Sequence, residues 1–136
     1  WCCLVGSEMC IRDRIIDMQR KKTGKLFNFC LQSTVIIAKK NKKEKNFFGK
    51  LGEEIGLLFQ LADDILDVKG SKKLVGKPIK KDKKKGKSTL IHLLGYKNAI
   101  NYAYKLQKKI LLKLKKHGKN ANELQNTIKF ILERSF

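Results

Sequence analysis

Long apolar runs are missing from this sequence, and no stretch reaches the ~18 to 20 consecutive apolar residues that a bilayer-crossing helix needs. Proline is represented by Pro78 alone, and no convincing pair of strand-like segments is present, so a sheet lacks its usual signals. Histidine is scarce too. His92 and His117 have no partners at metal-ligand spacing, which leaves them a surface or capping role. Acidic residues are few, with 12 Asp+Glu against 32 Lys+Arg, and the net charge of +20 points to polyanions as partners: nucleic acid, anionic lipid or diphosphate. The excess is nearly all lysine and accompanies abundant Asn and Ile, a composition that A/T-rich codons produce without selection for binding.

Cysteine is effectively a single residue. Cys2, Cys3 and Cys10 fall in the first ten positions and only Cys30 lies beyond them, which removes a disulfide framework or zinc knuckle from consideration. Leu4 to Asp13, LVGSEMCIRD, matches at every position the translated end of a transposon-based sequencing-library adaptor. Residues 1–14 are therefore read as adaptor-derived and set aside, with 15–136 carrying the fold. The same segment has neither the basic leader nor the apolar run of a signal peptide. Cys30, flanked by Phe29 and Leu31, is expected to be a small buried hydrophobe in a reducing, cytoplasmic setting.

What is present is helical periodicity. At 136 residues there is room for one domain. Lys25 to Ala38 is apolar and partly β-branched, and is assigned to a helix. From Lys43 to Val68, the residues Phe47, Leu51, Ile55, Leu58, Ala62 and Ile65 recur at three- and four-residue spacing, the mark of one helix face. Gly70 is expected to stop that helix, and Lys69 to Gly86, rich in lysine and glycine, reads as a loop. A short helix is expected from Ser88 to Leu94, ended by Gly95. Ala99, Tyr102, Ala103, Leu106, Ile110 and Leu114 then mark a long amphipathic helix to about His117, and Leu124, Ile128, Ile131 and Leu132 a last one. The fold class is all-α, with helices packed side by side.

On the most regular helix sits FQLADDILD, Phe59 to Asp67, with three carboxylates, Asp63, Asp64 and Asp67, within five residues. Asp63 and Asp67 are four apart on one face, where like charges repel by a few tenths of a kcal/mol, so a cation should compensate them. Such carboxylates suit Mg²⁺, a hard ion that takes one or two of them and fills its octahedron with water and phosphate oxygens. The alternative is a set of solvated acids paired with nearby lysines.

The order of Lys22-Thr23-Gly24, Phe59 to Asp67, Gly76-Lys77, Gly86-Lys87-Ser88-Thr89 and Leu93-Leu94-Gly95 resembles the trans-prenyltransferases of the farnesyl and geranylgeranyl diphosphate synthase type. The likeness extends from about Ile15 to the C-terminus. It implies the C-terminal part of an isoprenoid-synthase helical bundle, with Asp63, Asp64 and Asp67 as the second aspartate-rich, Mg²⁺-binding motif. Lys22, Lys77 and Lys87 match residues that contact the substrate diphosphate, and Thr23 and Gln60 match positions close to the reacting carbon. The implied partners are an allylic diphosphate and isopentenyl diphosphate, with a homodimer as the full-length assembly. The first aspartate-rich motif of the family belongs upstream of Ile15, so these residues alone are expected to be catalytically inert.

There are departures. Lys80 stands where the family often has a glycine, Thr34-Val35 replaces a small pair, and Leu90 replaces a frequent tyrosine. Two rival readings follow from charge. Nucleic-acid binding by the loop Lys69 to Lys87 lacks interleaved aromatics for stacking, so no specific nucleic acid is expected. Association with an anionic membrane could use the lysines of the helix Ala99 to Leu114, and a surface helix on a bundle gives the same pattern.

Overall fold

The computed structural model describes residues 7–75 and 90–134. Among them every element is helical. α1 spans Ser7–Gln19, a π-helical turn covers Arg20–Gly24, and α2 spans Lys25–Ile37. Because Gln19 and Lys25 on either side of the turn both keep right-handed helical dihedrals, these three pieces form one nearly continuous rod with a bulge in it. α3 (Lys42–Val75) returns alongside, followed by α4 (Leu90–Leu94), α5 (Tyr96–Leu114), a 3₁₀ segment (Lys115–Ala121) and α6 (Asn122–Glu133). Each helix of the sequence reading is present.

α3 is the axis of the fold. Of its expected stripe, Leu51, Ile55, Leu58, Ala62 and Ile65 are buried and Phe47 is half-buried, and Leu57 and Leu61 are buried as well. A helix buried over so wide an arc must be covered from more than one direction. α2 and the π turn pack on one side of it, and α5 and α6 contribute Ala99, Ala103, Leu106, Ile110, Leu114, Ile128, Ile131 and Leu132 to the core. Full burial of each such leucine or isoleucine contributes about 1.5–3 kcal/mol.

Glycine sets the distance on the α2 side. Gly49, Gly52 and Gly56 recur along one edge of α3, where a Cβ at Gly52 would lie 2.7 Å from the Asn28 nitrogen. At Gly56 a Cβ would lie 2.6 Å from the Gly24 Cα. Polar clamps reinforce the contact. Glu53 accepts from the Lys25 ammonium at 2.6 Å and from Asn28 at 3.0 Å, and the bond from Lys25 holds its carboxyl below the usual value. On the other side the buried carboxylate of Glu54 takes Lys113 at 2.6 Å and Lys109 at 3.1 Å, joining α3 to α5.

Three expectations need correction. Gly70 does not end α3, which runs on to Val75, so Lys69 to Val75 is helical rather than loop. A glycine stops a helix by adopting a positive φ, and here only Gly95 (φ 78°) and Gly118 (φ 57°) do so among the described glycines. Cys30 is exposed rather than buried, because the inner side of α2 is formed by Gly24, Phe27, Leu31 and Val35, while Cys30 shares the outer side with Leu26 and Phe29. His117 is half-buried rather than a surface or capping residue; its ring packs against those of Phe47 and Phe48 at centroid distances of 5.8 and 5.4 Å.

Two glycine substitutions test this packing by urea denaturation. Gly52→Ala should lose about 3 kcal/mol, since the added methyl meets backbone and is relieved only by parting the helices. Gly70→Ala, with nothing within 4 Å of the new methyl, should gain about 0.5–1 kcal/mol from helix propensity. A loss at Gly70 would place the end of α3 there after all.

Candidate functional site

The π turn and the middle of α3 bring four polar side chains together. The Thr23 hydroxyl donates to Gln60 Oε1 at 3.2 Å across 37 residues of chain. Gln60 Nε2 donates to Asp64 Oδ1 at 3.2 Å, and Gln19 Nε2 donates to Asp64 Oδ2 at 3.2 Å. Thr23 can reach because the bulge widens the rod by one residue in a turn, and such bulges recur at functional sites. Gly24, the next residue, lets the turn lie directly on Gly56.

Asp64 sits at the centre of this network. Removal from water raises its carboxyl above the ordinary value, the hydrogen bond from Gln60 works against that, and the charges of Asp67 and Asp63 push the same way as burial. Asp63 is half-buried and takes the Arg134 guanidinium at 2.6 Å; that guanidinium also lies 4.5 Å from the Phe59 ring. Asp67 is exposed. The compensating cation that the acid spacing calls for is therefore, at Asp63, an arginine.

Of the residues singled out by sequence, Thr23, Gln60, Asp63, Asp64 and Asp67 gather at this end of α3. Lys22 is exposed on the π turn beside Thr23. Lys77 and Lys87, with Lys80 and the Gly86 to Thr89 motif, lie outside the described residues. Among the described residues no group of three or more His, Cys, Asp or Glu converges on a common point. The donor set nonetheless fits Mg²⁺, which takes one or two carboxylates and leaves the rest of its shell to water and phosphate, and which relieves repulsion of the kind acting on Asp64.

Gln19 and Arg134 were not found from sequence. Gln19 is 4% exposed, and its Oε1 has no hydrogen-bond partner among the described residues. Arg134 did carry a signal: it is the only arginine after Arg20, in a chain whose later cations are otherwise lysine. Arginine's planar fork is the better partner for a carboxylate and an aromatic face together.

Comparison with known proteins gives the family. The family model for polyprenyl synthetases matches residues 7–131. This chain belongs to the polyprenyl synthetase family. It is 38% identical over 79 residues to a short chain isoprenyl diphosphate synthase of Methanocaldococcus jannaschii, covering 58% of this chain and 24% of that protein. A farnesyl diphosphate synthase of Bacillus subtilis is 31% identical over 102 residues, 73% of this chain and 34% of its own length. One from Micrococcus luteus is 40% identical over 74 residues, 54% of this chain and 25% of that one. The chain thus spans about a quarter to a third of the curated relatives it matches. No solved structure matches it. As a polyprenyl synthetase chain it has the all-α class expected, and among the described residues no helix is long and apolar enough to cross a membrane.

The direction of the Asp64 shift makes a pH prediction. A carboxyl whose folded value is raised keeps its proton to higher pH in the folded than in the unfolded chain, so stability falls as pH rises from 3.8 through the folded value and is level above it. Asp64→Asn removes that loss, and the Gln19 amide can turn so that its free Oε1 accepts from the new amide. Melting curves recorded without divalent cations should show the variant gaining on the wild type as pH rises from about 3.8 toward neutrality. A gap that widens toward acid would mean Asp64 is stabilised as the anion.

Proposed function

We propose that this chain forms the diphosphate-activating side of a Mg²⁺-dependent prenyltransferase, which joins an allylic diphosphate to isopentenyl diphosphate in a protein of its relatives' full length. The observation that carries the reading is the convergence of Thr23, Gln60 and Asp64, from elements far apart in sequence, beside the Asp63 and Asp67 carboxylates. Residues 15–136 are taken as the native portion on the strength of the adaptor match over Leu4 to Asp13.

The reaction breaks an allylic C–O bond to leave a carbocation and a diphosphate. The double bond of isopentenyl diphosphate attacks the cation, a C–C bond forms, and loss of a proton completes the product. The barrier falls when positive charge already surrounds the departing diphosphate. When bound, Mg²⁺ supplies Lewis-acid stabilisation there, with Asp63, Asp64 and Asp67 as the residues that would hold it. Lys22 reaches from the π turn as a compact donor to the same oxygens, and Lys77 and Lys87 are assigned the same task. Thr23 orients Gln60 through its hydroxyl, and the two face the reacting carbon. The leucine-rich core behind α3 keeps water from the cation.

An unpartnered apolar face on α2, Leu26, Phe29, Ile36 and Ile37, supports the further assignment of a larger assembly, in which other helices of the bundle or a second subunit cover it. A cytoplasmic setting accords with the exposed Cys30 thiol staying reduced.

The test is calorimetric titration of inorganic diphosphate into the full-length protein with and without Mg²⁺. Binding should require the ion and weaken at least tenfold in Asp63→Ala, about 1.4 kcal/mol. Gln60→Leu should retain binding and lose turnover of radiolabelled isopentenyl diphosphate. Diphosphate binding that needs neither Mg²⁺ nor Asp63 would overturn the proposal.

A further inference from the structure

α5 is apolar on two sides. Its inner stripe, Ala99, Ala103, Leu106, Ile110 and Leu114, is buried in the bundle. Its outer side carries Tyr104, Lys108, Leu111, Leu112 and Lys115, at the spacing that places them on one face. With Gln107 and Gln125 of α6 they line an open groove of about 550 Å³. Leu112 is 60% exposed and Tyr104 48%, and on α6 Phe130 is 60% exposed. No acidic residue lines the groove.

The lysines of this region divide into two groups. Lys109 and Lys113 are drawn inward by Glu54, and Lys116 lies 3.8 Å from the Phe47 ring centroid. Lys105, Lys108 and Lys115 are exposed and form no ion pair among the described residues. The free ammoniums are thus the ones that flank the exposed apolar side chains, while those on the inner flank are already neutralised or stacked.

We propose that the outer face of α5 is a docking surface for an anionic membrane. The helix lies on the bilayer surface without spanning it, with Leu112 and Leu111 entering the acyl boundary, Tyr104 at headgroup level and Lys105, Lys108 and Lys115 on the lipid phosphates. Their alkyl stems lie along the leucines while the ammoniums reach outward. Charge complementarity selects this occupant, because the groove pairs an uninterrupted positive rim with an apolar floor, and an anionic lipid surface presents the matching pair. A nucleic acid would use the lysines and leave Leu112 idle, since Tyr104 is the only aromatic side chain lining the groove. The proposal stands independently of the enzymatic reading.

With a net charge of +20 the chain will be attracted to any anionic vesicle, so the test separates this face from bulk charge. The full chain is sedimented with phosphatidylcholine vesicles, with or without about one third phosphatidylglycerol, at physiological ionic strength. Binding should require the anionic lipid. Leu112→Ser, which leaves the charge unchanged, should weaken it about threefold or more, and Lys108→Glu with Lys115→Glu about tenfold or more. Lys42→Glu with Lys43→Glu, on the first turn of α3, alters the net charge equally and should cost less than a third of that effect. Circular dichroism confirms that each variant is folded. Equal losses for the two charge pairs, indifference to Leu112→Ser, or equal binding to neutral vesicles would each overturn the proposal, as would an absence of pelleting. The last result, with binding to an acidic peptide instead, would make the face a protein-docking one.

Discussion

Everything at the candidate site depends on how closely α3 approaches the rod formed by α1, the π turn and α2. Three glycines on α3 and Gly24 on the turn remove the side chains that would hold the two helices apart. Close packing then forces the polar groups of the turn to find partners on α3, because a hydroxyl or amide buried without one costs about 1–3 kcal/mol. Thr23 finds Gln60, and Gln19 finds Asp64. The glycine contact is a packing device, and the polar network is its consequence.

The same geometry explains why the three acids behave differently despite their proximity in sequence. Asp64 faces the rod and loses water, Asp63 turns toward the end of α6 and meets Arg134, and Asp67 stays in solvent. One helical ridge therefore presents carboxylates in three electrostatic settings. Asp64 is held by two side-chain amides and Asp63 by a guanidinium. Glu54, one ridge away, is the contrast: two lysines hold it, and it serves only to fasten α5.

Much of the architecture was legible in the sequence because helical periodicity is a local signal. The stripe from Leu51 to Ile65 named the buried face of α3, and the inner stripe of α5 was read in the same way. Gly70 misled because a glycine reports a helix end only when the chain uses its positive φ, and here α3 continues through it. Cys30 misled because apolar neighbours in sequence do not say which side of a helix is covered. The pairing of Thr23 with Gln60 could not be derived from spacing, since 37 residues separate them, and only the family resemblance brought the two motifs into one site. The π turn had no local signature, and the lone late arginine, Arg134, could not name its partner Asp63 across 71 residues.

The central claim, that the glycine contact positions the polar network, is tested most directly in Gly24→Ala. The new Cβ would lie 3.3 Å from the Glu53 carbonyl oxygen, close enough to push the turn outward and mild enough for the chain to fold. The measurement is the NMR signal of the Gln60 side-chain amide together with the titration of Asp64. The account predicts that both change while resonances at the α5–α6 junction stay in place. A folded Gly24→Ala protein with lowered stability but unmoved Gln60 and Asp64 signals would contradict it, and would reduce the glycine contact to a matter of stability alone.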